Sequence, residues 1–299
     1  MSVLEHFGLE REPFSNAPDA RFYFNSEQHG QALLRLMYAV DSNKGLAVLV
    51  GGVGAGKTTL ARRMLDSLPE ERYESSLLVM VHSGITPEWI LTRIAMQLGV
   101  VAPEADRLAL LKQLYDRLLE IEASGRRAVV LIDEAQMLQT RELMEEFRGL
   151  LNLEIPGKKL LNIVFFGLTE VEECLRLDEP LAQRVAVKYH LHSLTPELTQ
   201  SYIKHRLQVA GARRMLFAPD TIPAIHAYSG GVPRVINTLC DNCLFESFMR
   251  GLDEVELKVV LSAAGDLGLV GTQASHEEDD TDDELDEIED MLDRLEHKE

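Results

Sequence analysis

Positive charge is what this chain has least of for its size. Its 299 residues hold 30 lysines and arginines against 49 acidic residues, a formal net charge of −19. The imbalance is uneven. Residues 276–299 carry 14 acidic and 2 basic side chains, while the other 275 residues net only −7. Neither part has the basic balance of a nucleic-acid binder, so nucleic acid is not an expected partner. Cysteine is scarce too, at three residues, which fits a reducing compartment. Cys240 and Cys243 form a C-x-x-C, but no second pair stands nearby. They fall within the apolar helical pattern LCDNCLFESF, which reads as buried thiols rather than zinc or redox chemistry. No apolar run approaches the roughly 20 residues of a membrane span. The charged opening, MSVLEHFGLEREPF, lacks the apolar stretch of a secretory signal. A cytoplasmic protein is expected. Aromatics make up only 6% and tryptophan is single; Trp89 reads as helix packing. His29, His190 and His192 lack metal-ligand company and read as packing or surface residues. At 45% hydrophobic, the chain can still build an ample, mainly aliphatic core.

Set against these absences is one concentrated signal: Gly51-Gly52-Val53-Gly54-Ala55-Gly56-Lys57-Thr58 fits G-x-x-x-x-G-K-[ST]. It stands between a short apolar run at 45–50 (GLAVLV), read as a buried strand, and a helical pattern at 59–68 beginning with Thr59. A strand that turns on glycines into a helix aims several backbone N–H groups at one spot. The positive end of the helix dipole faces the same spot, so it suits a phosphate. Glycines let the backbone approach; Lys57 would reach the β/γ-phosphates and the Thr58 hydroxyl would ligand Mg²⁺.

Further strands are expected at 76–81, 128–132, 160–166 and 185–191, with helices at 87–98, 108–121 and 143–153 between them. Alternation of this kind implies a parallel sheet covered on both faces, an α/β architecture. Before it, residues 1–25 read as an irregular arm rich in Phe and Pro, and Ser26 opens a helix carrying Ala32, Leu33, Leu36, Met37 and Val40 on one stripe. After Leu194 the strand signal stops. Helices are expected at 196–209, 220–228, 233–248 and 253–264. Residues 265–282 read as an acidic linker. Leu285, Ile288, Met291, Leu292 and Leu295 then give residues 283–299 the pattern of a short acidic amphipathic helix. The division is therefore an arm to 25, an α/β core at 26–194, a helical unit at 195–264, the linker and the terminal helix.

Asp133 and Glu134 close the third strand. Ligands of parallel sheets bind at the carboxyl ends of strands, and the glycine turn leaves such an end as well. Asp133 suits Mg²⁺, directly or through water, and Glu134 suits polarising an attacking water. Phosphoryl transfer also needs positive charge on the developing oxygens. Arg184, just before the fifth strand, and Arg234, in Gly230-Gly231-Val232-Pro233-Arg234, are the candidates; taken alone, each reads more readily as a surface residue.

The glycine turn, the DEAQ at 133–136, the helical second unit and its GGVPR together resemble an AAA+ ATPase. Phe7-Gly8-Leu9, Pro13-Phe14, Pro18-Asp19, the helix with Ser26, His29, Ala32 and Leu33, LLNLE at 150–154, AQRV at 182–185 and GGVPRVINTLCD at 230–241 resemble the ExeA/GspA-like group, named for general secretion pathway protein A. The resemblance spans roughly residues 3–265. It implies a P-loop NTPase core with a C-terminal helical lid, ATP and Mg²⁺ as cofactors, and ATP hydrolysis. It implies Arg184 as a finger on ATP held by a neighbouring subunit, and hence a nucleotide-dependent homo-oligomer. It implies Arg234 as the second sensor of the γ-phosphate. Two departures stand out. Where the group has GQPE after the fourth strand, this chain has Gly167-Leu168-Thr169-Glu170, so a leucine replaces the first-sensor glutamine, with Thr169 as a substitute. Fuller members continue into a membrane span and a peptidoglycan-binding domain, and here an acidic tail follows instead.

The functional expectation is an ATP-fuelled switch that assembles or positions an envelope machine: a secretion system, a type IV pilus or a polysaccharide exporter. The acidic terminal helix is the candidate contact with a protein partner. Two alternatives stay open: a DNA-acting ATPase of the transposition target-selection kind, and a non-hydrolysing nucleotide-dependent scaffold, which Leu168 motivates.

Overall fold

In chain order, the computed structural model gives helices α1 (Val3–Phe7) and α2 (Glu27–Asp41), strand β1 (Leu46–Gly51), α3 (Lys57–Asp66), β2 (Tyr73–Val79), α4 (Pro87–Gln97), α5 (Arg107–Ala123), β3 (Arg127–Asp133) and α6 (Arg141–Leu150). There follow a two-residue hairpin, β4 (Glu154–Ile155) and β5 (Lys158–Lys159), then β6 (Leu161–Gly167), α7 (Val171–Arg176), α8 (Glu179–Ala182) and β7 (Val185–Leu191). Helices α9 (Pro196–Val209), α10 (Thr221–Ser229), α11 (Pro233–Met249) and α12 (Leu257–Asp266) complete the chain. The structure describes residues 2–17 and 19–271. The expected terminal helix and most of the acidic linker lie outside the described residues.

Two units emerge: residues 25–192, and the described residues before 25 together with those after 192. In the first, five parallel strands run in the order β2-β3-β6-β1-β7. Strands β1 and β6 are buried at every position and β3 at all but its first, which is why their sequences are near-continuous apolar runs, interrupted in β6 by the buried Asn162, rather than alternations. The face bearing Leu46, Val48 and Val50 packs with Ile90 and Ile94 of α4, Leu114 and Leu118 of α5, and Phe147 of α6. At the edge, β7 alternates between half-buried and exposed positions, as one outer strand should. Helix starts are set by side-chain caps: Ser26 on α2, Thr86 on α4, Asp106 on α5 and Thr140 on α6 each accept a backbone N–H of the first turn, satisfying donors that have no intrahelical partner.

In the second unit, α9–α12 bury Ile203, Leu207, Ile225, Ile236, Leu239 and Val260, and the arm supplies Phe7, Leu9, Phe14 and Phe22 to the same core. The arm is more ordered than its composition suggests. Ser2 and Glu5 form a reciprocal capping box that starts α1, the S-x-x-E signature at work. Arg206 of α9 holds the arm's backbone. Its Nε donates to Pro13 O at 2.6 Å and Nη2 to Ser15 O at 2.7 Å, while the guanidinium lies over the Phe22 ring at 4.6 Å. Helix α12 begins at Leu257 rather than 253, because Val255 bridges to Phe217 in extended conformation. Cys240 and Cys243 are fully buried on α11. Burial holds the Cys240 thiol well above its ordinary pKa and pushes Cys243 up to about 12, so both stay protonated and unreactive.

Candidate functional site

At the carboxyl end of β1, the chain turns through Gly52-Val53-Gly54-Ala55-Gly56 into α3. Gly54 and Gly56 have φ of 75° and 100°, conformations that side chains rarely adopt. Gly51 meets a different limit: a Cβ there would lie 2.7 Å from the Leu191 carbonyl of β7. Helix α3 starts at Gly56 with no side-chain cap, so its first N–H groups are left to whatever the loop receives. Lys57 is buried, and its Nζ donates to the carbonyls of Gly51 (3.0 Å) and Gly52 (2.8 Å), folding the cation back across the loop. Thr58 and Thr59 follow on the first turn, each half-buried. Among the described residues no helix is long and apolar enough to cross a membrane.

His29 braces this loop from α2. Its Nδ1 is 2.6 Å from the Ser26 Oγ, and a Cβ on Gly56 would sit 3.3 Å from its Nε2. Burial lowers its pKa, partly opposed by a backbone hydrogen bond at Ala55 that favours the protonated ring. From sequence, His29 reads as a packing or surface residue; the structure sets its ring against Gly56 of the glycine loop.

Asp133 ends β3, two strands from β1, and is 1% exposed. Its Oδ1 accepts the Glu134 N–H at 3.0 Å. Its Oδ2 is buried with no hydrogen-bond partner among the described residues. Burial raises its carboxyl pKa above the ordinary value, against the Thr58 hydroxyl and the Lys57 charge, which pull it down. A buried carboxylate oxygen without a donor is costly unless a cation or ordered water meets it. With the Thr58 hydroxyl beside it, the pair fits a hard, oxygen-seeking ion such as Mg²⁺.

Glu134 stands next, with φ 57° and ψ 38°, one of two non-glycine residues at positive φ among those described. Left-handed backbone at a carboxylate on a strand end is a strained feature typical of sites. Gln136, 6% exposed, donates through Nε2 to Glu134 Oε2 at 2.5 Å, and its Oε1 accepts the Leu168 N–H at 3.0 Å. Gln136 was visible in the sequence only as the last letter of DEAQ.

Arg184 lies elsewhere in the same unit. Its Nη1 donates to Asn152 Oδ1 at 2.7 Å and to Arg148 O at 3.2 Å. It precedes β7 at the amino end of the strand, where Val185 pairs with Leu46; the phosphate loop begins at the other end, where Gly51 pairs with Leu191. Five to six residues of strand separate them, about 16–20 Å. Arg234 is exposed on the first turn of α11, in the other unit.

A five-stranded parallel sheet with a glycine loop at one strand end and an Asp-Glu pair at another is the core of a P-loop protein, here of the AAA+ fold. Residues 40–175 match the AAA domain family. General secretion pathway protein A of Aeromonas hydrophila is 37% identical over 279 residues, covering 92% of this chain and 49% of that protein; the chain thus spans about half the length of this relative. Among solved structures, ORC2 of Aeropyrum pernix, in ADPNP and ADP complexes, superimposes with a TM-score of 0.62 at 18% identity, over 83% of this chain and 72% of that one. Cdc6p of Pyrobaculum aerophilum does so with a TM-score of 0.64 at 17% identity, over 81% and 67%. These likenesses speak for the fold alone. The chain belongs to the GspA-like AAA+ ATPases.

Proposed function

We propose that this protein binds ATP with Mg²⁺ at the β1–α3 loop, hydrolyses it, and uses the cycle to switch a homo-oligomer serving an envelope-associated machine. The observation that carries the reading is the buried, unpartnered Oδ2 of Asp133 beside Thr58, at the carboxyl ends of the strands, where the phosphate loop and Glu134 also lie. The phosphates would be received by the backbone N–H groups of residues 52–58 and the α3 N-terminus. Lys57 would leave the Gly51 and Gly52 carbonyls to meet the β/γ-phosphates. Thr58 and Asp133 would hold Mg²⁺, which supplies charge neutralisation on the phosphate oxygens. Glu134 would take hydrogen-bond donation from the attacking water and orient it. Arg184 is proposed as a finger on a neighbour's nucleotide, and its placement at the far end of β7 from its own loop supports that assignment. Arg234 is proposed as the second sensor on family grounds, and the secretion-related partner on the relative's name alone.

The test is a comparison of wild type with Glu134→Gln and Lys57→Ala. The expected result is ATP binding in wild type and Glu134→Gln, turnover in wild type only, and loss of binding in Lys57→Ala. Leu168 at the first-sensor position favours a second reading, a nucleotide-dependent scaffold. Equal binding with no turnover in either wild type or Glu134→Gln would establish it in place of the first.

A further inference from the structure

The carboxylate proposed to orient water has to be held still, and the neighbouring strand does not hold it. Beside Asp133 on β2 the register partner is Val79, an apolar residue, so β2 offers no polar side chain next to the Asp133–Glu134 step. Across β6, the side chain at the first-sensor position is Leu168, which also has nothing to donate. The polar contact to Glu134 comes from Gln136, two residues along its own chain. Three contacts fix that glutamine. Its backbone carbonyl accepts the Cys174 thiol at 3.8 Å, its Oε1 accepts the Leu168 N–H, and its Nε2 reaches Glu134. A backbone N–H can only donate, so Leu168 dictates which end of the amide is oxygen, and the NH₂ end is thereby turned to the carboxylate. The side chain also lies tight over β6: a Cβ on Gly167 would fall 2.7 Å from Gln136 Oε1. Glycine at 167 is what lets the amide pass.

We infer that Gln136 is the positioning residue for Glu134, and that through it the carboxyl end of β6 sets where the Glu134 carboxylate stands. The chain of contact runs from the Leu168 N–H to the Gln136 amide to Glu134 Oε2. One carboxylate oxygen is pinned and the other is left for water. The missing polar side chain at 168 is thus replaced by its own backbone N–H, acting at one remove. This inference rests on Glu134 being the water-orienting base proposed above.

Two variants test it. Gln136→Leu keeps the volume and loses both hydrogen bonds. Gln136→Glu keeps an acceptor for the Leu168 N–H but replaces the donor facing Glu134 with a second carboxylate. Both are expected to lower kcat by about 10- to 100-fold, the scale of a misplaced catalytic group, with KM and the affinity for a fluorescent ATP analogue within about twofold of wild type, as a purely rate-directed effect requires. Amide hydrogen exchange at Leu168, read without nucleotide, should stay slow in wild type and Gln136→Glu and speed up in Gln136→Leu. The inference is overturned if both variants keep wild-type kcat, if kcat rises, if affinity falls as far as rate, or if Leu168 exchange is the same in all three proteins. A wild type that binds ATP without turnover overturns the hydrolytic reading itself, and is seen before any variant is made.

Discussion

Single side chains in this site are held against their own preferences, and His29 is the clearest case. An ordinary histidine titrates near pH 6.5. Burial lowers the value here, with the Ala55 backbone contact opposing it. The unfolded chain therefore takes up this proton before the folded one does. The neutral ring's contribution to stability is complete above about pH 6.5 and is lost as pH falls through the folded value. Thermal unfolding followed from pH 7.5 down to 5 should accordingly show wild type losing more stability than His29→Gln, whose side chain cannot titrate. Parallel curves would show that His29 does not carry the acid sensitivity. The same ring lies against Gly56, so the variant should also bind ATP more weakly at neutral pH. None of this was legible from sequence, because the meaning of His29 depends on residues 26 positions downstream. Gln136 is similar: its partner Leu168 is 32 residues away, and no local periodicity encodes the contact. By contrast the placement of Lys57 and Thr58 at the start of α3 and of Asp133 and Glu134 at the end of β3 was readable, since a local turn or strand end sets it.

At the level of elements, strands declared themselves wherever both faces are buried. The apolar runs of β1, β3 and β6 needed no alternation to be recognised, and the alternating half-buried pattern of β7 marks it as an edge. Short elements stayed hidden. Helix α1 has five residues and β4 and β5 two each, too few for a period to show, although the Ser2–Glu5 cap is plain once the helix is known. The residues 253–256 misled for another reason: a pairing of Val255 with Phe217 overrides local helical preference. The packing that matters most for the site is α6 on β6. Phe147 and Phe165 meet edge to face with centroids 5.1 Å apart, both 1% exposed or less. Phe147→Ala removes one ring from a closed core and should lower unfolding free energy by about 3–5 kcal/mol, transfer and cavity terms together. Urea denaturation will measure it. A loss under about 1 kcal/mol would mean that the core collapses around the vacancy and that α6 is not the fixed support of the β6 end.

For the whole molecule, the decisive feature is the separation of the two ends of the sheet. The phosphate loop leaves β1 where Gly51 pairs with Leu191, and Arg184 enters β7 beside the pair of Val185 with Leu46. An arginine side chain reaches about 7 Å, from the bond lengths of its stem, and the strand alone spans more than twice that. No rotamer change takes Arg184 to its own nucleotide. A second copy could deliver it, and a site completed in trans makes a specific kinetic demand. Arg184→Ala retains an intact loop but cannot serve its neighbour. Lys57→Ala cannot hold nucleotide but still presents Arg184. Each alone should be inactive, and mixing them should restore part of wild-type turnover, because nucleotide on the first is met by the arginine of the second. The recovered rate should fall on dilution as the oligomer dissociates. Glu134→Gln in place of Lys57→Ala should rescue equally, since it too keeps its arginine, whereas a double variant carrying Lys57→Ala and Arg184→Ala should not rescue at all. If Arg184→Ala alone turns over ATP at the wild-type rate, or if no mixture recovers activity while the oligomer persists, the arginine serves only its contacts with Asn152 and Arg148, and each chain must complete its site without a neighbour.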